Sequence, residues 1–364
     1  MGTKLGKIAS FQRGLTYSKG DEAPLSTKRV LRSNNIDLAT SSLDLSEIKY
    51  LKEDFIIPDS RKLKANSIFI CMSNGSKQHV GKVAFIDKDM DYAFGGFMGL
   101  IIPSPEVSAK YVYYACLSPA YRSFLAKVGN GIGITNLRFS DLENFEFPVP
   151  TLTEQERIVE ELNLLSGIIE KKNAQLRLLE ELALSIFSES FEGDGVRWDE
   201  LPLEKCIEKV KYTTKLQTKD FQETGRFPII SQEEDFISGY WDNPGDVFHV
   251  GKPVVIFGDH TRVLKYVDFD FVLGADGVRI LQPIDKLNSQ FLFYYLKANP
   301  VESLGYSRHF KLLKEKMVII PPMDLQLKFS KIVDSINKQK ELVESSIKEA
   351  KALYNSRLDK YFSV

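Results

Sequence analysis

The stretch TLTEQERIVEELNLLSGIIEKKNAQLRLLEELALSIFSESFEG, residues 151–193, holds no proline and a single internal glycine, Gly167. A run of this length without breakers predicts one long helix. Thr153 and Glu156 stand in capping-box spacing just after Pro150, where each side chain can satisfy a free backbone N–H. Gly193 and Gly195 are expected to end the helix. Along it Ile158, Leu162, Leu165, Ile169, Leu176, Leu179, Ala183 and Ile186 recur on a four-three spacing, interrupted by Lys172. Such a heptad seam needs an apolar partner.

The end of the chain supplies one. After Pro321-Pro322, with Asp324 as expected N-cap, residues 323–364 repeat the pattern through Phe329, Val333, Ile336, Val343, Ile347, Ala350, Tyr354 and Tyr361, broken by Lys340 and Arg357. An offset of 171 positions lays Pro150 on Pro321, Gln155 on Gln326, Ile158 on Phe329 and Leu165 on Ile336. Upstream, Tyr113-Tyr114 matches Tyr294-Tyr295, and Leu5-Gly6-Lys7 matches Leu203-Glu204-Lys205. The chain is a two-fold internal repeat.

Each half therefore reads as a globular unit followed by a long helix: 1–151, 152–192, 193–322 and 323–364. The globular parts alternate short apolar runs, such as Ser67–Cys71, Lys82–Ile86 and Pro253–Phe257, with Gly, Asn and Asp turns, so strands dominate. Short helices are expected near Ala109–Leu125 and Asn288–Ala298. The fold class is α+β: two repeated mixed α/β domains separated by two helices that form an intrachain antiparallel coiled coil. Charge favours that pairing, since residues 151–192 carry 4 basic and 9 acidic side chains and 323–364 carry 8 and 6. Ile168, Leu178, Leu182, Ile332, Leu342, Leu353 and Leu358 lie off the seam, and a second apolar face suggests partner subunits.

The 364 residues hold 48 Lys+Arg against 49 Asp+Glu, so only local charge can mark an anionic partner. The longest apolar stretch, Phe94–Pro103, is half of a membrane span and glycine-rich. Three scattered cysteines, Cys71, Cys116 and Cys206, suggest neither a disulfide framework nor a zinc site, and a cytoplasmic location is expected. Gly75–Lys82 is one residue too long for a phosphate loop and has Val83 in place of its hydroxyl. The adenine methyltransferase motif Asn-Pro-Pro-Tyr/Phe is absent, and the four histidines lack metal-ligand spacing. The chain reads as non-catalytic, without cofactor or metal.

Several turns gather Arg, Lys, Asn, Gln and Ser, the set that holds phosphates and reads base edges. In the first half the candidates are Arg13, Lys19, Arg32, Asn34, Ser73, Asn74, Lys77, Gln78, His79 and Lys82. In the second they are Lys215, Gln232, Asp259, His260, Thr261, Arg262, Lys265, Arg308 and His309. Solvated loops are the bland reading of any one such turn, and recurrence in both halves weighs against it. For His260, hydrogen bonding within its own turn through Asp259 and Thr261 weighs equally with base contact. The paired tyrosines read as core.

The strings Phe147–Val159 and Val318–Gln326, the globular–helix repeat over nearly the whole chain, and Gly258-Asp-His-Thr-Arg262 followed by Gly274-Ala-Asp-Gly277 resemble the specificity subunits of type I restriction-modification systems. The second helix entry departs from the pattern at Leu325 and Leu327. The resemblance implies two target recognition domains, each reading half of a split double-stranded DNA sequence in the major groove. It further implies two modification subunits that supply S-adenosylmethionine and flip the target adenine, with restriction subunits adding an ATP- and Mg-dependent nuclease. A helix of about 38 residues spans roughly 57 Å, an upper bound on the ruler the coiled coil would form. The competing expectations are a recognition subunit of a methylation-only system and a coiled-coil adaptor that binds proteins alone.

Overall fold

The computed structural model describes residues 2–129, 135–193, 197–275, 277–305 and 307–363. They form two compact units: residues 1–172 with 346–364, and residues 173–345. The long helices are Leu152–Phe191 and Met323–Phe362, each 40 residues. Each unit thus takes its globular part together with a segment of both helices, where the sequence suggested four consecutive pieces.

In the first unit, Ser67–Cys71 shows why an unbroken apolar run makes a central strand. All five residues are buried. Ile68 and Ile70 face a core with Leu5, Tyr111, Phe147, Ile158 and Leu358, while Phe69 and Cys71 face another with Leu31, Phe94 and Leu100. The period of two serves two cores at once. This strand pairs antiparallel with Met98–Pro103 and Val83–Ile86, and Ala9–Arg13 completes a four-stranded sheet. A second sheet of five strands includes Arg29–Leu31 and Met90–Phe94, which run parallel.

The second unit repeats the plan with variation. Val254–Gly258 is the middle of a three-stranded antiparallel sheet between Leu264–Val267 and Val278–Leu281. Phe271–Gly274 is central to a mixed sheet, parallel to Phe227–Ile230 and antiparallel to Val247–Phe248. The matched tripeptides become short helical turns at Leu5–Lys7 and Leu203–Cys206, and both leucines are wholly buried. Short helices form at Ala109–Ala115, Pro119–Val128 and Ser289–Ala298.

The repeat is cemented by one glutamine per half. Gln155 is buried; its Oε1 accepts from the Ser108 N–H at 2.9 Å and its Nε2 donates to the Pro150 carbonyl at 2.8 Å. Gln326 does the same with Asn288 (2.8 Å) and Pro321 (2.7 Å). Ser108 and Asn288 are the N-caps of the short helices that follow them. One amide thereby ties the start of a long helix to the start of a short one in each unit. Gln155→Leu leaves a half-buried N–H and a half-buried C=O without that partner, so we expect a loss of about 1 kcal/mol. Faster hydrogen exchange at the Ser108 amide checks it, and unchanged protection would count against it.

The seam is buried at Ile158, Leu162, Leu179, Phe329, Val333, Ile336, Val343 and Ile347 and half-buried at Leu165, Ile169, Leu176 and Tyr354. In the second unit Glu180 pairs with Lys340, while Phe187, seven residues on, packs against Phe329, eleven residues back, so the helices run antiparallel there. Two expected polar intrusions find partners: Lys340 with Glu180, and Arg357 with Glu161 at 2.8 Å. Burial pushes the Glu180 carboxyl up, but its hydrogen bonds to Lys297 and Lys340 outweigh that and hold it below its ordinary pKa.

Four sequence expectations are corrected. The first helix starts at Leu152, with the Thr151 carbonyl accepting from the Gln155 N–H at 2.9 Å, so Thr153 lies inside the first turn and is no cap. The second starts at Met323 on the Pro322 carbonyl, which leaves Asp324 within the turn. Phe187, not Ile186, is fully buried beyond Ala183, because four-residue steps follow the straight 3.6 period at the helix end. The same drift buries Leu358 and Phe362, so Leu358 does not face outward. Ile168, Leu178, Leu182, Ile332, Leu342 and Leu353 are exposed as expected. Gly195 and Asp276 lie outside the described residues. No helix among the described residues is long and apolar enough to cross a membrane.

Candidate nucleic-acid interface

In the first unit, three strands distant in sequence end at one place. Arg13 closes Ala9–Arg13, Arg32 to Asn34 follow Arg29–Leu31, and Ser73 and Asn74 follow Ser67–Cys71. With Lys19 these line a cleft of about 870 Å³. Six residues singled out in the sequence are thereby brought together. Ser33, Tyr17, Glu22, Glu47 and Phe97 also line it.

The scaffold beneath is built from short polar side chains. Asn35, buried, accepts the Arg32 N–H at 2.8 Å and donates to the Asp44 and Glu47 carbonyls at 2.8 and 2.7 Å. That shapes the turn. The Arg32 Nη2 donates to Glu47 Oε1 at 3.0 Å, Asn74 Nδ2 donates to Ser33 Oγ at 2.8 Å, and Ser73 Oγ donates to the Thr135 carbonyl at 3.0 Å. At Gly14 the backbone passes so close to the Gly95 carbonyl that any side chain would collide. Burial raises the pKa of Tyr17 at the cleft wall. The arrangement offers cations for phosphates and a fixed guanidinium, amides and hydroxyls for base edges.

The other first-unit candidates lie outside this lining. Lys77, Gln78 and His79 form a separate helical turn, with His79 half-buried. Lys82 reaches inward: its Nζ donates to the Ile36 carbonyl at 2.7 Å, and burial lowers its pKa. Its ammonium serves the fold, which corrects the expectation that it faces outward.

In the second unit Gln232 organises the turn Gly258–Arg262. Its Oε1 accepts the His260 N–H at 3.4 Å and its carbonyl accepts from the Thr261 hydroxyl at 2.6 Å. A side chain at Gly277 would run into that glutamine. Arg262 adopts φ 63°, with its Nη1 donating to the Val301 carbonyl at 3.1 Å. Lys215 stands with its ammonium 4.9 Å from the centre of the Tyr212 ring, and Arg308 is exposed.

Three second-unit candidates belong to the interior. Asp259 is 1% exposed and takes Arg279 Nη2 at 2.9 Å and the Phe310 N–H at 2.8 Å. Burial alone would raise its pKa, but those two donors bring it below the ordinary value. His309 is wholly buried: Nδ1 meets the Asp259 carbonyl at 3.0 Å and Nε2 accepts the Leu304 N–H at 3.1 Å. Lys265, 3% exposed, gives its ammonium to the carbonyls of Ser231 (3.0 Å), Asp235 and Phe236 (3.4 Å). Charged and ring side chains look alike in sequence whether they point out or cap backbone carbonyls within. Among the described residues no group of three or more His, Cys, Asp or Glu is placed to hold a metal ion.

This geometry agrees with comparison to known proteins. Residues 3–180 match the family described as the type I restriction modification DNA specificity domain. The StySPI specificity subunit of Salmonella potsdam is 27% identical over 180 residues, 48% of this chain and 38% of that protein. The EcoKI specificity subunit of Escherichia coli K12 is 26% identical over 185 residues, 51% and 38% respectively. The chain therefore spans well under half the length of these relatives in the matched region, while the MjaIX specificity subunit of Methanocaldococcus jannaschii, 24% identical, is matched over 67% of each. Two solved structures share the fold at 16% identity. One, from work on assembly and conformational transition of the type I R-M system, covers 99% of this chain and 97% of its own with TM-score 0.55. The other, the S subunit from M. genitalium, covers 100% and 96% with TM-score 0.53. Residues 3–180, just under half of the chain, match the type I restriction modification DNA specificity domain, and the chain is similar to the specificity subunits of type I restriction enzymes.

Proposed function

We propose that this chain is a non-catalytic DNA-recognition subunit that reads a bipartite double-stranded target, one half with each globular part, and scaffolds two modification subunits on its long helices. Restriction subunits join the same assembly. S-adenosylmethionine, ATP and Mg are used on those partners, in the cytoplasm. The observation that carries the reading is the cleft where Arg13, Lys19, Arg32, Asn34, Ser73 and Asn74 converge. Against a net charge of −1 for the whole chain, this lining carries three cations, Arg13, Lys19 and Arg32, and two carboxylates, Glu22 and Glu47. Outward leucines and isoleucines such as Leu178, Ile332 and Leu342 supply apolar surface for the partner subunits.

Phosphate-facing cations pull the duplex in without sequence preference, whereas Arg32, held by Glu47, acts on base edges. The two roles separate in a salt titration. In the complex with its modification subunits, Arg13→Ala is expected to weaken binding to all DNA sequences and to reduce the slope of log K against log salt by about one. Arg32→Ala is expected to relax discrimination at one base position by about tenfold. Binding by the complex that is independent of salt and of sequence would overturn the proposal.

A further inference from the structure

Phe97 stands 73% exposed at the cleft, between Met90–Phe94 and Met98–Pro103. Exposure of this kind usually marks a mobile loop tip, but here the backbone is pinned. The Phe97 carbonyl accepts the N–H groups of Met72 at 2.8 Å and Ser73 at 3.1 Å, and the Met98 N–H closes the turn on the Gly95 carbonyl at 2.8 Å. The neighbouring apolar lining residues Leu15 and Met98 are buried. One exposed aromatic side chain on a hydrogen-bonded turn therefore lines the same cleft as Arg13, Lys19 and Arg32.

Resting on the recognition role above, we propose that Phe97 is a specificity-determining residue that packs against the 5-methyl group of a thymine in the half-site read by the first unit. The flanking cations bring a polyanion to the ring. On the major-groove edge of the base pairs, the thymine methyl is the apolar feature, and an apolar side chain is its natural contact. Because the turn is already fixed, little ordering accompanies contact.

The test uses the complex with its modification subunits and duplexes carrying its own methylation motif, with each thymine of the first unit's half-site replaced in turn by uracil, which lacks only the methyl. At one position uracil is expected to weaken binding about fourfold, the equivalent of one buried methyl. Phe97→Ala should weaken binding to the thymine duplex and bring the thymine-to-uracil ratio at that position to one, while Phe97→Leu keeps a preference for thymine. Equal binding of thymine and uracil at every position, a half-site with no thymine in either strand, or an unchanged ratio in Phe97→Ala overturns the assignment and leaves the recognition role standing. Failure of the wild-type complex to prefer its motif over unrelated DNA overturns both.

Discussion

Phe329→Ala is expected to cost the second unit about 4 kcal/mol, the usual result of emptying a buried aromatic site. Phe329 is 2% exposed, with ring centres of Phe187, Tyr294 and Phe191 at 5.4, 5.4 and 5.7 Å. Those rings come from both long helices and from Ser289–Ala298, so the cavity removes contacts that hold three helices together. The measurement is convenient. The chain has two tryptophans, Trp198 and Trp241, and both belong to this unit, so intrinsic fluorescence in a denaturant titration follows it alone. A midpoint unchanged by Phe329→Ala would mean that the helix ends do not pack here.

Asp259→Ala is expected to cost about 3 kcal/mol, because it leaves the Arg279 guanidinium and the buried Phe310 N–H without an acceptor. The pH dependence has a definite sign. The folded-state pKa of Asp259 is depressed, so its contribution is fully present above the ordinary carboxylate value of about 3.9 and is lost as pH falls through the lower folded value. The wild-type fluorescence midpoint should therefore approach that of Asp259→Ala on acidification below pH about 4. A constant gap down to the lowest pH would show that the carboxylate is not the group responsible. The Asp259 carboxylate fixes the Phe310 N–H next to Arg308 and His309, so the substitution should also disturb sequence reading by this half.

The architecture was legible because it rests on periodicity. Ile158, Leu162 and Leu179 and their counterparts Phe329, Val333 and Ile336 obey spacings that any helix enforces, and the repeat was visible as Gln155 on Gln326. What that pair does was not legible, since a buried amide joining two helix starts depends on residues some 40 positions away. The first cap was misplaced because the Thr153-x-x-Glu156 spacing lies just inside a helix that opens on the Thr151 carbonyl, with the Glu154 carboxylate taken by Arg157. At Asp324 a proline carbonyl does the work.

The site divided along a physical line. Residues at or just past strand ends, Arg13, Arg32, Asn34, Ser73 and Asn74, converge, because strands of the two sheets end at one cleft whatever their separation in sequence. Lys82, Lys265, Asp259 and His309 have the same composition signal but turn inward, where each satisfies backbone groups that would otherwise be buried without partners. Phe97 escaped notice because a single phenylalanine in an apolar run reads as core. Only its exposure within a pinned turn sets it apart.

In its proposed role this chain selects the DNA sequence that a partner methyltransferase modifies. The measurement that decides this is the methylome of a host that gains this gene together with the gene of its proposed modification subunit, set against a host that gains the modification subunit alone. The expected result is N6-methyladenine at one split motif, present only with this chain, and altered in one half alone when Arg32 is replaced by alanine. The absence of any new methylation, with both proteins expressed and folded, would contradict it.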